Sequence, residues 1–257
     1  MPPPCYFRRV RVAALYDIHG NLPALEAVLD QARQIGVDRI IVGGDVLPGP
    51  MPRETLSLLL GIKIPAQFIL GNGEVAVLEQ MAGRTPAAVP EPYLPIIRWN
   101  AGQIPTEYER TIAAWPKILT IEIPGLGNAL FCHATPRNEN EIFTRLTPEE
   151  RLLPVFAGVG APLVVCGHTH MQFDRMIGGT RVVNAGSVGM PFGEPGAYWL
   201  MLGPDVQFRK TEYDLGEAAG RICATAYPQA GDFAANNVLR PPAEQAMLDL
   251  FTRASLK

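Results

Sequence analysis

The chain opens on an alternation between two hydrophobic periods. Residues 10–16 (VRVAALY) form a short apolar run suited to a buried strand, and the run stops at Asp17. Asn21 then stands where a helix cap belongs, with Pro23 in the first turn. Leu22, Leu25, Val28, Leu29, Ala32 and Ile35 recur at helical spacing, and Gly36 closes the segment. Residues 39–42 (RIIV) repeat the buried-strand pattern and run into Gly43-Gly44-Asp45. A helix is expected over residues 53–60, and residues 67–70 (QFIL) lead into Gly71-Asn72-Gly73. Three strand–loop–helix units in succession predict a parallel sheet with helical crossovers. In such sheets functional residues gather beyond the carboxyl ends of the strands.

From residue 82 to 116 prolines multiply and the pattern changes. This stretch is expected to be an excursion covering the site or the sheet edge, with Thr106 and Glu109 as a capping box for a short helix towards Trp115. Residues 118–123 and 128–132 read as a hairpin around Pro124-Gly125-Leu126-Gly127, and Thr147-Pro148-Glu149-Glu150 reads as a second capping box. Residues 163–166 (LVVC) form a strand pattern ending in Gly167-His168-Thr169-His170. Residues 181–183 and 198–202 look like strands of a second sheet. A C-terminal helix near residues 241–254, after Pro241-Pro242, is expected to pack Met247, Leu248 and Phe251. With no internal repeat and no low-complexity tail, residues 1–257 read as a single domain.

Composition narrows the class. Hydrophobic residues at 47% against charged residues at 18% suit a folded enzyme with a substantial core. A formal charge of −3 gives no support to nucleic acid as a partner. None of Cys5, Cys132, Cys166 and Cys223 forms a CxxC pair, and Cys132 and Cys166 lie in apolar strand patterns, so reduced core thiols are expected. The stretch MPPPCYFRRVRV lacks the apolar core of a signal peptide, and no run approaches the roughly 20 apolar residues of a membrane span. A cytoplasmic enzyme is the expectation.

Every polar motif follows an apolar strand pattern. The series is Asp17-Ile18-His19, Gly44-Asp45, Gly71-Asn72, Cys132-His133 and His168-Thr169-His170. Each piece has an ordinary reading: a turn with a surface histidine, a strand exit, a turn asparagine, two solvent histidines. Together they use all four histidines of the chain and suit two divalent transition ions. Asp45 is the natural bridge between them.

The ordered set DIHGN, GGD, GN, a strand-ending histidine and GHTH resembles the calcineurin-like metallophosphoesterase superfamily, in particular its small bacterial phosphodiesterase-type members, from Asp17 to Ser187. The resemblance implies a four-layer α/β/β/α sandwich, with two central mixed sheets flanked by helices. It also implies that Asp17, His19 and His170 bind one metal, that Asn72, His133 and His168 bind the other, and that Asp45 bridges. Manganese is the first expectation, with iron, nickel and zinc as alternatives. Asn184-Ala185-Gly186-Ser187 resembles the family's NPGS turn, with a structural role expected.

One departure stands out. The family commonly has GNH followed by an acid, and that histidine protonates the leaving oxygen; here the residues are Gly73 and Glu74. A missing general acid costs about 10²–10⁴-fold with a poor leaving group and little with a good one. Glu74 reads either as a partial substitute or as a solvated residue at a helix start. Arg137, just beyond His133, reads equally as a phosphate clamp or as a surface partner of Glu139 or Glu141. The expected activity is attack of a metal-bridging hydroxide on a small phosphate ester or nucleotide, with Asp45, Asn72 and Arg137 at the reaction centre. Activated or cyclic diesters are the expected substrates. The alternatives are a monoesterase acting on phosphoprotein or nucleotides and a non-catalytic interaction scaffold.

Overall fold

Alternating small and branched residues in the first strand decide how the layers form. In the computed structural model, which describes residues 10–256, β1 (Val12–Leu15) is buried along its whole length. Ala13 and Leu15 face one hydrophobic cluster and Val12 and Ala14 face another. Both faces of its sheet are therefore covered, which calls for layers on either side. Cys5 and most of the stretch read for a leader lie outside the described residues.

The next elements follow in the expected order. Helix α1 (Leu22–Ile35) is capped by the Asn21 side chain, which accepts from the Ala24 N–H at 3.2 Å, and Gly36 closes it in the left-handed conformation. Then come β2 (Arg39–Val42), α2 (Pro52–Leu60), β3 (Ala66–Phe68) and α3 (Asn72–Met81). The proline-rich stretch is largely helical, with a short 3₁₀ turn at Glu91–Tyr93, α4 (Leu94–Gln103) and α5 (Thr106–Ala113). The hairpin is present as β4 (Ile118–Ile123) and β5 (Gly127–Cys132). It is followed by α6 (Glu149–Phe156), β6 (Leu163–Cys166), β7 (Phe173–Ile177), β8 (Thr180–Asn184), β9 (Ala197–Leu202) and β10 (Val206–Thr211). Helix α7 (Leu215–Cys223) and a single turn, α8 (Ala230–Phe233), run into a π-helical stretch (Ala234–Leu239), and α9 (Glu244–Ala254) ends the described chain.

Two five-stranded mixed sheets result, in the orders β10-β9-β1-β2-β3 and β4-β5-β6-β8-β7. Strands β1, β2 and β3 are parallel, as the three repeated units require. Between the sheets lies a cluster that includes Tyr16, Ile41, Phe131, Val165 and Leu200. Helices α1 and α2 cover the outer face of the first sheet, and α6 covers the second. The fold is the expected four-layer sandwich.

Three expectations need correction. Residues 198–202 do not join the second sheet; β9 pairs antiparallel with β1, so the chain returns to the first sheet after β8. Thr106 is the first helical residue of α5, behind Pro105, and makes no cap hydrogen bond. Pro148 likewise takes the cap position of α6, and Thr147 instead accepts the Thr144 N–H at 2.9 Å.

Candidate metal centre

Five parallel strand ends converge on one rim. Asp17 and His19 follow β1, Asp45 follows β2, Asn72 opens α3 after β3, His133 follows β5, and His168 and His170 follow β6. The loops are knitted to one another by backbone. The Asp17 N–H donates to Gly44 at 3.1 Å, the His19 N–H to Asp45 at 2.9 Å, and the Gly167 N–H to His133 at 2.8 Å. Asp17, His19, Asp45, His168 and His170 all have positive φ, between 48° and 67°, and no other non-glycine among the described residues does. Backbone strain costs roughly 1–3 kcal/mol at each such residue and persists only where the surroundings over-determine it. Here it is concentrated on five residues of one rim.

The ring orientations follow from carbonyl acceptors, which can receive a hydrogen bond but not give one. Nδ1 of His19 must donate to Pro48 (3.2 Å), Nδ1 of His133 to Gly43 (2.9 Å) and Nδ1 of His170 to Met190 (2.7 Å). In the neutral rings every Nε2 then carries a lone pair facing the centre. Nε2 of His19 and His170 are only 3.3 Å apart. Asp17 Oδ1 is buried without a hydrogen-bond partner among the described residues. It lies 3.3 Å from Nε2 of His170, 3.8 Å from that of His133 and 3.9 Å from that of His19. Converging lone pairs around an unsatisfied carboxylate oxygen repel one another unless a cation lies between them. The donor set fits divalent transition metal ions.

Asp45 presents one oxygen to each side, with Oδ2 3.7 Å from His19 Nε2 and Oδ1 3.5 Å from His133 Nε2. The Asn72 Oδ1 is 3.0 Å from His133 Nε2, and the His168 ring packs edge-on against His133 with centroids 5.1 Å apart. Among the described residues, two clusters have ligand atoms mutually within 4.8 Å: Asp17, His19 and His170, and Asp17, Asp45 and His133. Asp17 thus belongs to both, where the sequence assigned it to one.

Protonation follows the same crowding. Burial opposes ionisation of Asp17, but His170, His133 and His19 hold its carboxyl well below the usual range. Burial and the neighbouring Asp17 charge push Asp45 up to about 6, against the pull of His133. Burial and a neighbouring imidazole, His170 for the first and His133 for the second, take His19 and His168 down to about 3. Carboxylates overcome burial at His133 and His170 and push both up.

Glu74 is the residue that sequence reasoning misjudged. It is fully buried rather than solvated. Its Oε2 accepts the N–H groups of Asp45 and Gly71, both at 2.8 Å, and its Oε1 accepts that of Leu47 at 2.9 Å. Burial and the Asp45 charge push it up to about 7, against three N–H donors that favour the carboxylate. Glu74 ties two site loops together and presents no proton to a leaving group. Gly73 beside it donates its N–H to Asp45 Oδ1 at 2.7 Å, and a Cβ there would lie 2.0 Å from the Leu47 carbonyl oxygen. An imidazole at position 73 is excluded by the backbone as it stands.

Arg137 is on the surface, where its guanidinium pairs with Glu141 at 2.7 Å, and Lys117 takes Glu139 at 2.9 Å. Of its two sequence readings, the structure displays the ion pair. The turn at residues 184–187 is a fastener. Asn184 Nδ2 donates to the Gly167 carbonyl (2.6 Å) and to Thr169 Oγ1 (3.1 Å), and Ser187 Oγ donates to the Asp17 carbonyl (2.7 Å). Phe192, which no sequence signal singled out, stacks on His170 with centroids 5.4 Å apart.

The pattern of the calcineurin-like phosphoesterase superfamily domain matches residues 10–202. An uncharacterized protein of Methanocaldococcus jannaschii is 27% identical over 239 residues, covering 85% of this chain and 94% of that one. The crystal structure of a metallophosphoesterase from Sphaerobacter thermophilus aligns with TM-score 0.68 and 25% identity, over 90% of this chain and all of that one. A hypothetical protein from Pyrococcus horikoshii aligns with TM-score 0.73 and 21% identity, over 91% and 100% of the two chains, a likeness of fold.

Proposed function

This chain belongs to the calcineurin-like phosphoesterase superfamily, and from that premise we propose that it is a phosphodiesterase using two divalent cations. Manganese is the first choice, and diesters with a good leaving group, cyclic ones included, are the substrates. The observation that carries this reading is the unsatisfied Oδ1 of Asp17 amid three inward-facing Nε2 atoms. Asp17, His19 and His170 are assigned to one cation, Asn72, His133 and His168 to the other, and Asp45 to both. Such cations, when bound, supply Lewis acidity and lower the pKa of a water.

The chain itself supplies position. Three imidazoles are locked by Nδ1–H bonds to carbonyls, an arrangement that fixes the tautomer and the aim of the ligand. The rim hydroxyls are occupied, Ser187 by the Asp17 carbonyl and Thr169 by Asn184, which leaves direct attack by water as the simplest route. Gly73 offers no imidazole and Glu74 is turned inward, so a leaving oxygen must depart without a proton donor from this motif. Among the described residues no Lys or Arg lines the cavity at the rim, and a singly charged diester suits that better than a doubly charged monoester.

The test pairs elemental analysis of the purified protein with turnover of a bis-aryl phosphate and a sugar monophosphate in added Mn²⁺. Bound transition metal and a diester advantage of about 10²-fold or more are expected. Equal or faster monoester turnover overturns the diester preference; no bound metal and no turnover of either overturns the phosphoesterase reading.

A further inference from the structure

A cavity of about 410 Å³ opens from the metal centre, with His19, Asp45 and Asn72 at its inner edge. That size is ordinary for a small-molecule site. Its walls are separate from the strand ends. Val89, Ile96 and Ile97 come from the proline-rich excursion, while Tyr227 and Phe233 come from beyond residue 202, outside the stretch that matches the family. These walls are apolar and aromatic, so a sugar alone or a polyanionic tail is poorly matched to them.

The polar groups on the same walls are mostly carboxamides. Gln229 and Asn237 line the cavity, and neither side-chain amide has a hydrogen-bond partner among the described residues. Asn236 lies alongside and donates to Asp232 at 2.7 Å. Asn236 and Asn237 belong to the π-helical stretch, a geometry that is rare in general and frequent at functional sites. A carboxamide offers one donor face and one acceptor face, which matches the edge of a heteroaromatic ring, while an aromatic wall matches its face. A plain acyl chain would satisfy the wall and leave the amides unused.

We propose that this cavity selects the group esterified to phosphate, and that this group carries an uncharged planar heteroaromatic ring, a nucleobase being its biological form. Tyr227 and Phe233 supply the ring surface, and Gln229 and Asn237 read the edge. The proposal rests on the phosphodiesterase reading for the chemistry at the rim. The binding it asserts is a property of the walls and can be read without metal or turnover.

The experiment titrates chelator-treated, full-length protein with adenosine, ribose and hexanol, followed by calorimetry and by tryptophan emission. Trp99 packs edge-on against Tyr227 with centroids 5.4 Å apart, so it reports on the wall. Saturable adenosine binding is expected, with ribose and hexanol at least tenfold weaker. The double variant Gln229→Ala/Asn237→Ala should weaken adenosine roughly tenfold, and Ala88→Trp, which fills the cavity mouth, should abolish binding. Circular dichroism and thermal melting establish that both variants are folded. Absence of adenosine binding to the wild type, equal binding of hexanol, or unchanged affinity in the folded double variant overturns the proposal. Failure of the phosphoesterase reading shows up instead in metal content and diester turnover.

Discussion

The rim of strand ends and the wall of the cavity are neighbours built on opposite plans. At the rim, backbone does the positioning. Five residues accept positive φ, glycines let loops touch, and three imidazoles are aimed by carbonyls. At the wall, side chains do the positioning: α4 brings Ile96 and Ile97 to the cavity, and Phe233 arrives from the turn that leads into the π-helical stretch. The rim tolerates little chemical change because its loops and rings are held to one another by hydrogen bonds. The wall depends on shape and apolar character, which several sequences can supply. Reaction type therefore belongs to the rim, and the choice of substrate belongs to the wall.

The sharpest way to break this division is at Asp45. Asp45→Asn keeps the shape and removes the charge that faces both His19 and His133. Hydrolysis of a bis-aryl phosphate with saturating Mn²⁺ is expected to fall on the order of 10³-fold or more, with metal content reduced. Unchanged turnover in a folded variant would leave the rim without its chemical role and favour the scaffold alternative.

The same contrast governs what was legible in the sequence. Asp17, His19, Asp45, Asn72 and the other three histidines stood out because each follows a short apolar run, and the chemistry of the type is rare. Helix α1 was legible from cap to cap because Asn21 and Gly36 act locally. The sheet membership of β9 was not, since a strand buried on both faces carries no mark of its partner. The two capping boxes failed because Pro105 and Pro148, fixed in φ, already occupy the cap positions. Glu74 was invisible for a related reason: its three partners are backbone N–H groups of residues 45, 47 and 71, and backbone leaves no signature in composition. The cavity wall gave no signal either, because prolines crowd the approach to α4 and the apolar residues of the wall resemble any core.

A finer test sits under the rim, at Glu74. Its folded carboxyl titrates near 7 against an ordinary 4.5. The folded state therefore holds the proton more tightly, and this contribution is complete below pH 4.5 and is lost as the pH rises to 7. Glu74→Gln removes the titration and turns one amide N–H₂ group towards backbone donors. In metal-free protein the variant is expected to be less stable at pH 4.5, with the gap to wild type narrowing by at most roughly 3 kcal/mol by pH 7. Denaturant melts at the two pH values measure it. A gap that widens instead would mean that the three N–H donors hold Glu74 ionised, making it an anionic anchor for both loops.

The smallest effect is expected at Arg137, where rim and surface meet. The guanidinium is half exposed and is held by Glu141, whose Oε2 also accepts the Thr135 hydroxyl at 2.6 Å. An exposed pair of this kind contributes little to stability, because water screens it and both side chains give up freedom to form it. A phosphate clamp would behave differently, since losing a charged hydrogen bond to substrate raises KM about tenfold or more. Arg137→Ala is expected to leave the melting transition nearly unmoved and to change KM for a diester less than about threefold. A tenfold rise in KM at unchanged stability would show that the substrate draws the guanidinium away from Glu141, and the rim would then extend to a residue that is held only by its side chain.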